Sequence, residues 1–440
     1  MSKDGDSVAP LSSKRSLGTV NGKNIDDIDL SEKALNPVSS MTLTANIPAI
    51  DASDVEDKSV SLPASKGVRL RANIQLVALC FSVFLLGWND GPTGPLLPRF
   101  QSFYHVNYTV VSLIFISNCI GFIIGSVSNI FLTERLGFGK VIVLGSVAQL
   151  VGYCIQAPAP PFPGFVIAYT INGFGLSLQD AQANGFVVSY KDNAEVKMGI
   201  LQATYGFGAL VSPFVANHFA HVEHWSYMYL TSIGVAFLNT ILLVSVFRFK
   251  TQDECLAQVG QATGETGTSE DSAYSQIFKL KAVHLLAFFI LVYVGVEVTI
   301  GGWIVTFIIK AREGGTSSGY ISSGFFGGLM FGRVALIWVN KKVGERRIIF
   351  IYILLSIALE LVIWLIPSLV GDAVAISLIG VLLGPIYPIV MNESGRMLPP
   401  WLLTGSIGWI AGFGQAGSAI LPFMTGAIAN KAGIQSLQPL

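Results

Sequence analysis

Charge is scarce in this chain: 12% of its 440 residues are Asp, Glu, Lys or Arg, against 52% hydrophobic. Soluble domains carry about 25% charged residues, so the composition alone places the chain in a membrane. What charge there is balances, with 27 Lys and Arg against 27 Asp and Glu. That removes the basic field a nucleic-acid partner needs and the acidic excess that solvates a disordered chain. Cysteine is also sparse. Cys80, Cys119, Cys154 and Cys255 share no CxxC spacing and three lie in apolar runs, so neither a disulfide framework nor a thiolate metal site is expected. The sequence lacks an HExxH zinc motif, a phosphate-cradling Gly-rich loop after a strand, and a nucleophile elbow. No enzyme, no cofactor and no metal site is expected.

The charges that exist are unevenly placed. Nineteen of the 54 fall in residues 1–71, a Ser-, Asp- and Lys-rich stretch with scattered proline and no periodicity. Such a stretch buries too little apolar area to offset the entropy of ordering, and a disordered tail is expected. Beyond it, apolar runs long enough to cross about 30 Å of hydrocarbon occupy 72–97, 110–132, 141–156, 165–189, 198–219, 225–247, 282–309, 318–339, 348–368, 373–391 and 405–427. Lys and Arg collect in alternate loops, among them Arg135, Lys140, Lys191, Lys197, Arg248, Lys341, Lys342, Arg346, Arg347 and Arg396. By the positive-inside rule these loops and the N-terminus face the cytoplasm.

Sliding the chain against itself by 207 positions aligns Gly121-Phe122-Ile123-Ile124-Gly125 with Gly328-Leu329-Met330-Phe331-Gly332, Leu136-Gly137 with Val343-Gly344, Lys140 with Arg347, Gly94 with Gly301 and Asp90 with Glu297. The unit is a six-span bundle over 72–247, repeated over 282–440 and joined by a polar linker, 248–281. Eleven spans leave the second bundle one short, so a twelfth is expected to be missing. Two parallel halves about an axis along the membrane normal are a transporter architecture.

The loop Glu134-Arg135-Leu136-Gly137-Phe138-Gly139-Lys140 resembles the signature between spans two and three of the major facilitator superfamily. Within it, the fucose permease-like branch of sugar–proton symporters, with its fungal relatives, offers closer matches. These are Trp88, Asn89 and Leu96-Leu97-Pro98-x-Phe100 late in span one, Asp180 four residues before Asn184 in span four, and Gln202 five before Phe207-Gly208 in span five. The resemblance implies an all-α membrane protein of two parallel six-helix bundles that moves a small polar solute, a sugar among the candidates, by alternating access. The branch's span-one acid aligns with Gly94, so Asp90 stands one turn earlier, and Tyr205 stands where an Asn is expected.

Acids inside spans are costly and are functional candidates by default. Asp90, Asp180 and Glu297 are therefore the expected proton-coupling groups. An alternative for Asp90 is that Asp90-Gly91-Pro92 ends span one in a turn, and for Asp180 that it only binds neighbouring helices together. A neutral polar solute needs amides and flat aromatics, which Trp88, Asn89, Asn184, Gln202, Tyr205 and Trp303 supply; each aromatic equally fits core packing. Arg135, Lys140 and Arg333 are expected to be structural or conformational, Arg333 by snorkelling or capping helix ends beside the basic loop, with binding of an anionic solute or pairing with a carboxylate as its alternative. The expected partners are the solute, protons and the bilayer, with no nucleic acid, and a monomer suffices. The rival classes are a nutrient sensor on a transporter fold, which signals without accumulating solute, and a uniporter whose acids are structural.

Overall fold

The computed structural model describes residues 66–190, 193–260, 279–397 and 400–437. Among these no strand occurs. The polar tail expected over 1–71 lies outside the described residues but for its last six, and most of the linker, 261–278, lies outside them too. Each apolar run identified in the sequence falls on a helix or on consecutive helices. The first set is α1 (Lys66–Asp90), α2 (Thr93–Tyr104), α3 (Tyr108–Val111), α4 (Leu113–Leu136), α5 (Phe138–Gln156), α6 (Phe162–Val188), α7 (Ala194–Ala220) and α8 (Met228–Phe247). A short α9 (Gln252–Ala257) begins the linker. The second set is α10 (Lys281–Ala311), α11 (Tyr320–Ala335), α12 (Ile337–Val343), α13 (Glu345–Leu365), α14 (Leu369–Leu383), α15 (Ile386–Met397) and α16 (Pro400–Ala432).

Eight of the described helices are long and apolar enough to cross a membrane, and a ninth span appears if the pair 316–335 and 337–343, bent by 54°, counts as one. Helix α6 is not among them although it is 27 residues long. It carries Gln179, Asp180, Gln182 and Asn184, and that polarity is the reason.

The 207-residue repeat is visible in the packing. Helix α1 packs on α7 as α10 packs on α16, α4 on α6 as α11 on α14, and α5 on α6 as α13 on α14. The aligned glycines do the same work twice. A Cβ on Gly121 would strike the Thr170 carbonyl, and one on its mate Gly328 would strike the carbonyl of Ser377, which is 207 positions from Thr170. Between α4 and α5 the chain turns at Gly137 with φ 80°, its amide donating to the Thr133 carbonyl; Gly344 turns with φ 97° and donates to Asn340 at the same offset. Only glycine holds such a φ without strain.

The basic loops lie together at one end of the molecule, here the loop end. There the described start of the linker, 248–260, is docked onto the first set. The Gly139 amide donates to the Lys250 carbonyl, Gln252 Nε2 donates to Ser189 Oγ at 2.7 Å, and Gln75 Nε2 to the Cys255 carbonyl at 3.1 Å. Cys255 and Leu256 of α9 are buried in a core with Phe138, Phe186 and Phe247. In the second set the positions 207 residues after Phe138 and Phe186 are Glu345 and Glu393. There the contacts are ionic: Arg346 to Glu393 at 2.8 Å, and Arg396 to Glu345 and Glu393 at 2.7 and 3.0 Å.

Close approaches join the two sets along α7 and α11, where Gly206 meets Met330, and at the opposite, far end. A Cβ on Gly94 would lie 2.5 Å from the Gly301 carbonyl, so the two repeat-mate glycines touch across the pseudo-two-fold axis. Gly302 meets the Phe115 ring, Gly426 meets Ser112, and Gly319 meets Asn217.

Candidate functional site

The expected span 72–97 is not one helix. Helix α1 ends at Asp90, the chain turns through Gly91 and Pro92, and α2 resumes at Thr93. Proline lacks the N–H that would continue the ladder, and Gly91 is pressed against Ala209 and Ser212 of α7, leaving no room for a side chain. Asp90 is nevertheless drawn into the protein. Its Oδ2 accepts from the Tyr205 hydroxyl at 2.8 Å, and its Oδ1 accepts from Asn89 Nδ2 at 3.2 Å.

Helices α6 and α7 run antiparallel, and Asp180 and Gln202 each stand eight residues from the loop between them, about 12 Å deep at 1.5 Å per residue. Asn184 bridges the two. Its Nδ2 donates to Asp180 Oδ1 at 2.8 Å, and its Oδ1 accepts from Gln202 Nε2 at 3.3 Å. From the second set, Arg333 donates to the Gln202 carbonyl at 3.2 Å, with its guanidinium 5.6 Å from the Tyr205 ring centre. Arg333 was expected to cap helix ends beside the basic loop; it is instead a cross-set contact to the backbone of α7. Glu297, 6% exposed on α10, is close enough for its charge to act on Asp90 and Tyr205. The structure thus assembles Asn184, Asp180, Gln202, Tyr205 and Asp90 into one polar column, with Arg333 and Glu297 of the other set beside it.

Two of the expected solute ligands lie elsewhere or are already engaged. Trp303 is fully buried at the far end, its Nε1 donating to the Pro422 carbonyl at 3.0 Å and its ring edge-on to Tyr108. It is core packing at the contact between the sets, outside the column. Trp88 donates to Ser232 Oγ at 3.0 Å and borders a small cavity inside the first set with Asn89, Tyr153, Gln156, Tyr169 and Tyr229. Arg135 and Lys140 stay on the exposed surface of the loop end, away from the column.

Sequence reasoning passed over Gln149 and Tyr153. Both are buried on α5, and Tyr153 donates to Asn89 Oδ1 at 3.1 Å. Their signal was available: polar groups four residues apart share one face of a helix. Among the described residues no cluster of His, Cys, Asp and Glu could hold a metal ion.

The model of the Major Facilitator Superfamily matches residues 79–422. "Bypass of stop codon protein 6" of Saccharomyces cerevisiae is 23% identical over 390 residues, spanning 82% of this chain and 78% of that protein. The glucose/mannose transporter GlcP of Bacillus subtilis is 22% identical over 362 residues, 79% of this chain and 86% of its own. Among solved structures, the fucose:proton symporter FucP of E. coli superposes with a TM-score of 0.58 at 18% identity, covering 83% of this chain and 94% of that one.

Proposed function

This chain belongs to the Major Facilitator Superfamily, a family of transporters and not of enzymes, and from that premise we propose that it moves a monosaccharide together with protons by alternating access. The observation that carries the reading is the polar column. Asp90, Tyr205, Gln202, Asn184 and Asp180 line up across the first set, and Glu297 and Arg333 stand next to it from the second. Amide, phenol and carboxylate groups are what sugar hydroxyls bind, and a carboxylate held where the two sets meet can bias which end opens when it binds a proton. The sugar class is favoured by one of these relatives, a glucose/mannose transporter, and the fucose:proton symporter has the same fold. With the basic loops and the N-terminus in the cytoplasm, the packed far end is the outer one, and the conformation is closed to the outside. A monomer contains every group the reading uses.

The test is uptake into proteoliposomes of labelled D-glucose, D-mannose, D-galactose and L-fucose under an imposed pH gradient. At least one sugar is expected to accumulate in the wild type, and Glu297→Gln or Asp90→Asn to abolish accumulation while sparing exchange, which moves no net proton. Equilibration without accumulation makes the protein a uniporter; specific binding without any flux makes it a sensor; full accumulation by both variants removes the two acids from coupling.

A further inference from the structure

Asp90 is the terminus of a directional chain of hydrogen bonds. The chain starts at Gln179 of α6, whose Oε1 accepts from both Ser82 Oγ at 2.6 Å and Asn239 Nδ2 at 2.7 Å. That oxygen is fully engaged, so the amide group of Gln179 has only its N–H side to offer. It donates to Gln149 Oε1 at 2.7 Å. Gln149 is thereby fixed with Nε2 toward Tyr153, donating to its hydroxyl at 3.3 Å. Having accepted that bond, the hydroxyl points its own proton at Asn89 Oδ1, 3.1 Å away. Asn89 is left one orientation, with Nδ2 donating to Asp90 Oδ1. Gln179 and Gln149 are fully buried and Tyr153 is 2% exposed, so the bonds from Gln179 to Tyr153 lie out of reach of bulk solvent, while Tyr153 and Asn89 border the small cavity.

An amide turns over about its last bond easily when nothing holds it, because its N and O ends are nearly the same size. Turned one way it donates to a carboxylate and favours the ionised form; turned the other it offers a carbonyl, which repels the carboxylate and accepts from the protonated acid. We propose that Gln179, Gln149 and Tyr153 are positioning residues that hold the Asn89 amide donor-first against Asp90 and so set the pH at which Asp90 takes up its proton. None of the three touches the carboxylate. The inference rests on the reading that Asp90 binds the transported proton.

Tyr205 of α7 touches Asp90, and the other titratable groups near enough to act on it electrostatically are Tyr153 from α5, Tyr169 and Asp180 from α6 and Glu297 from α10. Tyr229 of α8 is engaged by Tyr169 at 3.3 Å, and Arg333 of α11 acts on Tyr205. Tyr205 bonds Oδ2 and the chain reaches Oδ1, so each acts on a different carboxylate oxygen.

A readout that needs no solute is infrared titration of the protonated carboxyl C=O band in the reconstituted protein, assigned to Asp90 by its loss in Asp90→Asn. Tyr153→Phe removes the donor that fixes Asn89, and its midpoint is expected about one pH unit above the wild type, the scale of one exchanged hydrogen bond. Gln149→Leu acts two bonds away and is expected to shift the midpoint in the same direction by less. Ser126→Ala, which breaks an unconnected, part-buried contact to Ser177, is expected to leave it unchanged. An unmoved or lowered midpoint in Tyr153→Phe, with melting temperature preserved, overturns the proposal; an unmoved midpoint in Gln149→Leu overturns the chain beyond Tyr153. If no band disappears in Asp90→Asn, Asp90 is not the proton site, and the underlying reading falls together with the inference.

Discussion

Replacing Gly94 by Ala tests whether the far end is a gate. The new Cβ would stand 2.5 Å from the Gly301 carbonyl and 3.0 Å from Ser322 Oγ, where ordinary van der Waals contact begins near 3.4 Å. The obstructing atom is backbone, in a stretch of α10 buried from Gly301 to Ile308, so it cannot swing aside. Helices α2 and α10 have to separate by about 0.9 Å, the gap between 2.5 and 3.4 Å. Overpacking of this kind costs about 1–3 kcal/mol. Because the strain exists only while the far end is closed, it acts on the balance between closed and open forms, a shift of about 5- to 150-fold toward open. Ser112 is fully buried at that end, against Gly426. With the four native cysteines replaced, Ser112→Cys should react slowly with a membrane-impermeant maleimide, and at least fivefold faster once Gly94→Ala is added. Equal rates in the two backgrounds, with both proteins folded, would refute the gate. A smaller melting temperature with unchanged labelling would mean that the strain is spread through the fold instead.

Two further outcomes follow from particular contacts. Arg312 is paired with Asp372 at 2.9 Å and donates to the Ile363 carbonyl at 2.6 Å, while the Asp372 side chain is 1% exposed; Arg312→Leu leaves that carboxylate buried and unpaired and should cost about 3–5 kcal/mol, with the double variant Arg312→Leu, Asp372→Leu recovering much of the loss in a thermal melt. Burial pushes the Cys255 thiol up to about 11, so at pH 7.5 almost no thiolate is present, and Cys255 should stay unmodified by a water-soluble maleimide until the protein is denatured; fast labelling in the native protein would show that α9 does not stay docked.

The class, the apolar runs, the repeat and the short roster of intramembrane acids are legible in the chain before it folds. These are readable because hydropathy adds up residue by residue along the chain, and because the duplicated unit keeps glycine at some of the places where two backbones touch, as at Gly121 and Gly328. The tertiary structure decided what each polar group faces. In spans that are apolar almost all round, periodicity does not say which way a helix is turned, and a rotation of one residue's angle, about 100°, exchanges one neighbour for another. So Trp303 and Tyr205 looked alike as aromatic candidates, yet one is locked into the contact between the sets and the other holds Asp90. Arg333 looked like a helix cap and reaches across to Gln202. The break after Asp90 was written in Gly91-Pro92, but that α2 resumes and carries Gly94 to Gly301 depended on α7 and α10 packing around it. The orientation of the Asn89 amide is the most remote from the sequence, since it is set by a row of hydrogen bonds through three helices and exists only once all three are in place.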